Sequence, residues 1–148
     1  MKASKCRWGI LSSAHIARKN YQAIYHSNNG CISAVASRDI QKAQAFIDEC
    51  QLQSPFSPAP RAVEGYENLI ENPDIDAVYI PLPTGLRKEW VIRAARAGKH
   101  VMCEKPCGIN ASELEEMISV CRENNVQFMD GVMSRLTLLL LEIKQKQQ

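Results

Sequence analysis

The chain has 148 residues, 45% hydrophobic and 23% charged, with a formal net charge of +2. One domain around one core is the expectation at this length and composition. So small a charge, with no block of like sign, argues against nucleic acid as a partner. The longest apolar run, Leu138 to Leu141 with its neighbours, is too short to span a bilayer, so no membrane role is expected.

No apolar h-region follows Met1-Lys2-Ala3-Ser4-Lys5. No signal peptide is therefore expected, and the expected compartment is the cytoplasm. The six cysteines, Cys6, Cys31, Cys50, Cys103, Cys107 and Cys121, include no C-x-x-C pair. They read as small buried hydrophobes in a reducing compartment, and no metal site is expected.

In chain order, Cys6 to Leu11 is predicted as a strand and Ala14 to about His26 as a helix, with Ile16, Tyr21 and Ile24 at apolar positions. Asn28-Asn29-Gly30 should stop that helix, because these residues tolerate the left-handed backbone. Cys31 to Ala36 is a second strand, apolar throughout as burial on both faces requires. Asp39 can cap a helix from Ile40 to about Cys50. The segment from Ser54 to Pro60 is a loop, since its three prolines fix φ and remove donors. Arg61 to Glu64 is a candidate third strand and Tyr66 to Glu71 a short helix.

Ala77 to Ile80 is a buried strand ended by Pro81. Thr84 or Gly85 opens a helix running to Gly98, and Thr84 is placed to cap it. Lys99 to Cys103 is the next strand. Asn110 and Ser112 are candidate caps for a helix ending near Asn124-Asn125, and Val126 to Met129 is a last short strand. Strands alternating with helices imply an α/β domain: a Rossmann-type, doubly wound parallel sheet with helices on both faces. Ligands of such sheets sit outside the carboxyl ends of the strands, at the switch in strand order.

That rule selects four strand ends. After the first strand, Ser12, Ser13 and Ala14 are small enough for a ligand to approach the backbone. With His15 and Ile16 they open a helix whose unpaired N–H groups suit a phosphate. The dinucleotide fingerprint asks for glycine at Ser12, glycine at Ala14 and glycine or alanine at Ala17, and only the last is met. After the second strand, Ser37 and Arg38 offer a hydroxyl and a guanidinium to a ribose 2′-phosphate, which favours NADP over NAD. Asp39 is the alternative, as a ligand of the ribose hydroxyls. Pro81, Leu82 and Thr84 offer one wall of a nicotinamide or ribose pocket, although a rigid turn explains them as well. Glu104 and Lys105 reach the same edge. The lysine can bind the nicotinamide amide or a substrate hydroxyl and lower that hydroxyl's pKa, with Glu104 holding it in place. A structural Glu–Lys pair is the alternative.

Gly98 to Pro106, Asp74 to Thr84, Arg7 to Leu11 and Ala36 to Asp39 together resemble the glucose–fructose oxidoreductase, inositol dehydrogenase and MocA-like family. The likeness is nearest to its branch of dimeric dihydrodiol dehydrogenases and related plant and microbial oxidoreductases, and it runs from Arg7 to about Met133. It implies an N-terminal NAD(P)-binding Rossmann domain and a C-terminal α/β domain that holds substrate and often forms the dimer. It implies hydride transfer to or from a sugar, polyol or dihydrodiol, with Lys105 as catalytic or substrate-polarising residue. Two positions depart from it: Ser12 stands for the turn glycine, and Arg87 for a histidine often found after the proline turn. A Cβ at Ser12 should crowd the pyrophosphate and weaken cofactor binding.

The domain reading is therefore residues 1–133 as the NAD(P)-binding unit and 134–148 as an atypical tail, with the substrate domain missing from a truncated product. His15, His26 and His100 are poorly placed as proton donors. The alternative function is a non-catalytic nucleotide-binding or dimerisation module. A homo-oligomer is expected only where the missing domain is present.

Overall fold

A computed structural model describes residues 5–131; the tail reading of residues 134–148 lies outside them. The order is β1 (Cys6–Leu11), α1 (Ala17–His26), β2 (Gly30–Ser37), α2 (Ile40–Gln53), β3 (Arg61–Glu64), α3 (Tyr66–Ile70), β4 (Ala77–Ile80), α4 (Thr84–Arg96), β5 (His100–Cys103), α5 (Ala111–Glu123) and β6 (Phe128–Asp130). The strands form one six-stranded sheet in the order β3-β2-β1-β4-β5-β6, and every pairing is parallel. The order reverses between β1 and β4, which is the Rossmann arrangement.

Two apolar clusters lie on opposite faces of this sheet. Ile10 and Tyr79 point to one with Tyr21, Phe46 and Ile47 of α1 and α2. Leu11, Val78 and Ile80 point to the other with Leu69, Trp90, Val91 and Met117. Neighbouring strand residues take opposite faces because the side-chain period is two. β2 breaks that period: Ile32 and Val35 share a face, because Trp8 pairs with Ile32 but Gly9 with Ala34, leaving Ser33 as an extra residue. Fully buried Ile10, Leu11, Val78 and Ile80 each contribute roughly 1.5–3 kcal/mol of transfer free energy.

Several predicted boundaries move, each for a local reason. α1 starts at Ala17, not Ala14. Ser12 and Ala14 are spent in a tight turn, and the N–H groups of Ala17, Arg18 and Lys19 donate to the carbonyls of Ala14, His15 and Ile16, one residue tighter than an α-helix. β5 and β6 start later than predicted because the helices before them close with the same motif. At the end of α4, Gly98 (φ 74°) precedes Lys99, whose N–H donates to the Ala94 carbonyl. At the end of α5, Asn125 (φ 55°) precedes Val126, whose N–H donates to the Cys121 carbonyl. Both are Schellman closures, so Lys99 and Val126 finish helices instead of opening strands. α2 runs three residues beyond Cys50, to Gln53.

The capping assignments divide. Asp39 accepts from the Gln41 N–H and Asn110 from the Glu113 N–H, as predicted. Ser112 lies inside α5 and caps nothing. Pro83 (φ −53°, ψ 144°) takes the N-cap position of α4 and no side chain caps it. Thr84 is already helical, so its hydroxyl is one residue too late for the role predicted for it.

Arg7 ties the start of β1 to the turn before β4. Its Nη2 and Nε donate to Asp76 at 2.7 and 3.0 Å, and its backbone N–H donates to the same carboxylate at 2.8 Å. The Arg7 guanidinium holds the Asp76 carboxyl below the usual 3.8. A depressed folded-state value stabilises the fold above the unfolded value and is lost as pH falls through the folded one. Acid titration should therefore destabilise the wild type below about pH 4 more steeply than Asp76→Asn. Equal slopes in acid unfolding curves would refute the assignment.

Among the described residues, no helix is long and apolar enough to cross a membrane, and no group of three His, Cys, Asp or Glu side chains is arranged for a metal. All six cysteines are free thiols; Cys50, Cys103, Cys107 and Cys121 are buried, while Cys6 and Cys31 are half-buried.

Candidate functional site

The carboxyl ends of β1, β2 and β4 converge on a cleft of about 460 Å³ lined by Ser12, Ala14, Arg38, Tyr66, Leu82 and Arg87, with Pro81, Pro83 and Leu86. It sits at the switch in strand order. A larger depression of about 780 Å³ involves Arg7, Cys31 and Pro58. That one borders the amino-terminal ends of β1 and β2, away from the edge where parallel sheets bind ligands.

The first turn carries the fingerprint departure into the backbone. Ser12 has φ 117°, a region that glycine occupies freely and a Cβ makes costly. Its N–H continues the sheet, donating to the Ala36 carbonyl at 2.8 Å. Its Oγ turns inward and accepts the Ala14 N–H at 3.0 Å. One donor of the turn is thus consumed internally. No side chain caps α1 and no acidic residue lies in its first turn, so no residue of the helix itself offsets the positive end of its dipole. Ser13 is half-buried, and His15 and Ile16 are exposed at the turn.

At the end of β2, Arg38 is exposed and lines the cleft. Ser37 is buried, and its Oγ accepts the Asp39 N–H at a long 3.4 Å. The carboxylate of Asp39 is engaged as the cap of α2.

Past β5, Glu104 is buried. One carboxylate oxygen accepts the Tyr79 hydroxyl at 2.8 Å and the other the Lys105 backbone N–H at 3.1 Å. Glu104 therefore holds the lysine by its main chain and not by its ammonium. Burial, followed by the hydrogen bond to Glu104, pushes the Tyr79 hydroxyl well above its ordinary range, so it remains a donor. Lys105 itself is exposed, and no carboxylate among the described residues forms an ion pair with it.

Arg87 joins the two loops. It is buried, and its Nε donates to the Leu82 carbonyl at 2.6 Å. Its Nη1 donates to the Glu104 carbonyl at 3.0 Å and makes a second, shorter bond to the Pro106 carbonyl. The guanidinium thus pins the loop after β4 to the segment carrying Lys105.

Of the residues singled out in the sequence, Ser12, Ala14, Arg38, Pro81 and Leu82 meet on the cleft wall. Ser13, His15, Ile16, Ser37, Thr84, Glu104 and Lys105 lie around it without lining it. Sequence reasoning noted Arg87 only as a departure and missed its place in the site, as it missed Tyr66 and Tyr79. A signal for Arg87 was present: positions 87, 90, 91 and 94 share one helical face, and Trp90, Val91 and Ala94 are apolar. His100 has a structural task, accepting the Gln127 N–H on Nδ1 at 3.0 Å.

Comparison with known proteins adds to this geometry. The model of an oxidoreductase family with an NAD-binding Rossmann fold matches residues 6–132. A dTDP-3,4-didehydro-2,6-dideoxy-alpha-D-glucose 3-reductase of Actinomadura kijaniata is 38% identical over 132 residues, which are 88% of this chain and 37% of the relative. An NADP(+) D-xylose 1-dehydrogenase of Haloferax volcanii is 38% identical over 86% of this chain and 37% of its own. A mouse trans-1,2-dihydrobenzene-1,2-diol dehydrogenase is 34% identical over 87% and 37%. The crystal structure of the Actinomadura 3-ketoreductase KijD10 with NADP superposes with a TM-score of 0.83 at 33% identity, covering 95% of this chain and 42% of that one. The chain thus spans little more than a third of the length of these curated relatives.

Proposed function

Because the chain belongs to the oxidoreductase family with an NAD-binding Rossmann fold, we propose that it is the cofactor-binding domain of an NADP-preferring oxidoreductase acting on a sugar, polyol or dihydrodiol-type substrate. The observation that carries this reading is the cleft at the switch in strand order, lined by Ser12 and Ala14 of the turn that leads into the uncapped α1, by Arg38 and by the Pro81–Pro83 turn. The N–H groups of Ser13, His15 and Ile16 would hold the pyrophosphate, at a turn whose Ala14 N–H is taken by Ser12 Oγ. Arg38 pairs with the ribose 2′-phosphate, and Ser37 backs it. Pro81, Leu82 and Thr84 border the nicotinamide, held in register by Arg87. When bound, the nicotinamide supplies or accepts the hydride. Lys105, set by Glu104, hydrogen-bonds the reacting oxygen through its ammonium and stabilises negative charge on it. Support for NADP comes from two relatives, the NADP(+) xylose dehydrogenase and the NADP-bound 3-ketoreductase.

Titration with each coenzyme tests the reading. Arg38→Ala should weaken NADP about tenfold, the scale of one charged hydrogen bond, and leave NAD unchanged. Equal losses for both coenzymes, or none, would overturn the 2′-phosphate assignment. Oxidation of a polyol panel with NADP separates the enzyme from a module that binds without turnover.

A further inference from the structure

The segment that carries Lys105 is bracketed by two cysteines. Cys103 ends β5 and Cys107 follows Pro106. The two residues fold back on one another: Cys107 Sγ lies 3.7 Å from the Cys103 carbonyl oxygen, and Cys103 Sγ lies 3.9 Å from that of Cys107. Each thiol thus lies against a backbone carbonyl of the other residue, and Cys103 Sγ also lies 3.7 Å from the Glu104 carbonyl oxygen. Cys107 belongs to a loop and not to a regular element, so it is the end of the pair that adjusts when the sulfurs bond. We propose that Cys103 and Cys107 form an oxidisable dithiol, which hydrogen peroxide converts to an intrachain disulfide bracketing Lys105.

The two thiols are unequal, and the inequality assigns their roles. Cys103 is 0% exposed and Cys107 is 9% exposed, so an oxidant from solvent meets Cys107 first. The neighbouring Cys103 thiol lowers the Cys107 thiol below its ordinary value, with the Arg87 cation acting in the same direction against burial and Asp130. The neighbouring Cys107 thiol, then burial, raises Cys103. Cys107 is therefore the attacking thiolate and Cys103 the resolving thiol. In the first step Cys107 sulfur takes one oxygen from peroxide, giving a sulfenic acid and hydroxide, which takes up a proton to become water. In the second, Cys103 sulfur attacks the sulfenyl sulfur, loses its proton and expels the second water. Two thiols are oxidised and one peroxide is reduced to two waters. The four other cysteines lack this arrangement; burial first, then Asp76, raises the Cys6 thiol.

Peroxide oxidation of the reduced full chain, followed by alkylation in denaturant and peptide mass spectrometry, tests the proposal. The expected product is a peptide containing both residues, lighter by two hydrogens, unalkylated, and restored by dithiothreitol. It should form before Cys6 and Cys31 react, although those two are more exposed. In Cys103→Ser the sulfenic acid of Cys107 should persist and be trapped by dimedone. Cys107→Ser should leave Cys103 reduced. Both variants should keep a cooperative thermal transition. Oxidation of Cys6 or Cys31 ahead of the pair, or full alkylation of Cys103 and Cys107 once those are spent, would overturn it. Neither result bears on coenzyme binding, which the titration above reads separately.

Discussion

Replacing Arg87 with methionine is expected to lower the unfolding free energy by about 3 kcal/mol, read as a shift in the urea midpoint. Methionine keeps most of the apolar stem but removes the whole fork of donors. The carbonyls of Leu82, Glu104 and Pro106 then lose their shared partner in a place where water reaches poorly. Three bonds to a charged donor would sum to more than this. Removing a buried cation that forms no ion pair among the described residues offsets part of the sum.

The substitution series distinguishes a staple from simple packing. Arg87→Lys offers one point donor instead of a planar fork and should recover only part of the loss. Arg87→His is too short to reach both loops and should behave more like methionine. Hydrogen exchange should rise at Lys105, whose segment is pinned by two of the three bonds. A methionine variant as stable as the wild type, with unchanged exchange at Lys105, would show that the loops hold their places without the guanidinium.

The fold was legible because its evidence is local. Ala77 to Ile80, apolar and ended by Pro81, could only be a buried strand, and the run from Cys31 to Ala36 said the same of β2. Alternation with helical stretches then fixed a parallel sheet and its carboxyl edge. The starts of β5 and β6 were misjudged because Lys99 and Val126 carry no mark that the preceding helix will claim their N–H groups. The cleft was legible where residue type announces chemistry, as at Arg38, which lines it, whereas Lys105 lies outside its lining. The site was hidden where a side chain serves backbone atoms. The partners of Arg87 are carbonyls, which every residue has, so sequence showed an arginine on a buried face and nothing of what it holds. Glu104 finds Tyr79 across 25 positions of chain, a contact that only the pairing of β4 with β5 brings about.

Ser12→Gly is expected to tighten NADP binding about tenfold while moving the thermal midpoint by only a few degrees. Three effects act on stability and nearly cancel. Glycine relieves a backbone held at φ 117°, worth of order 1–3 kcal/mol. It gives up the bond from the Ala14 N–H to Ser12 Oγ, worth about 1 kcal/mol. It also loosens the unfolded chain, at roughly 0.4–1 kcal/mol. On binding the effects add: the Ala14 N–H becomes available to the pyrophosphate, and the Cβ that crowds it is gone. Ser12→Ala separates these contributions, since it frees the same N–H but keeps the Cβ and the strained φ. Affinity recovered by alanine as fully as by glycine would make the occupied donor the limiting feature. Affinity recovered by glycine alone would make it the Cβ. If both variants bind NADP as the wild type does, the amides at the opening of α1 do not hold the dinucleotide, and the serine in the glycine position marks a turn with a different purpose.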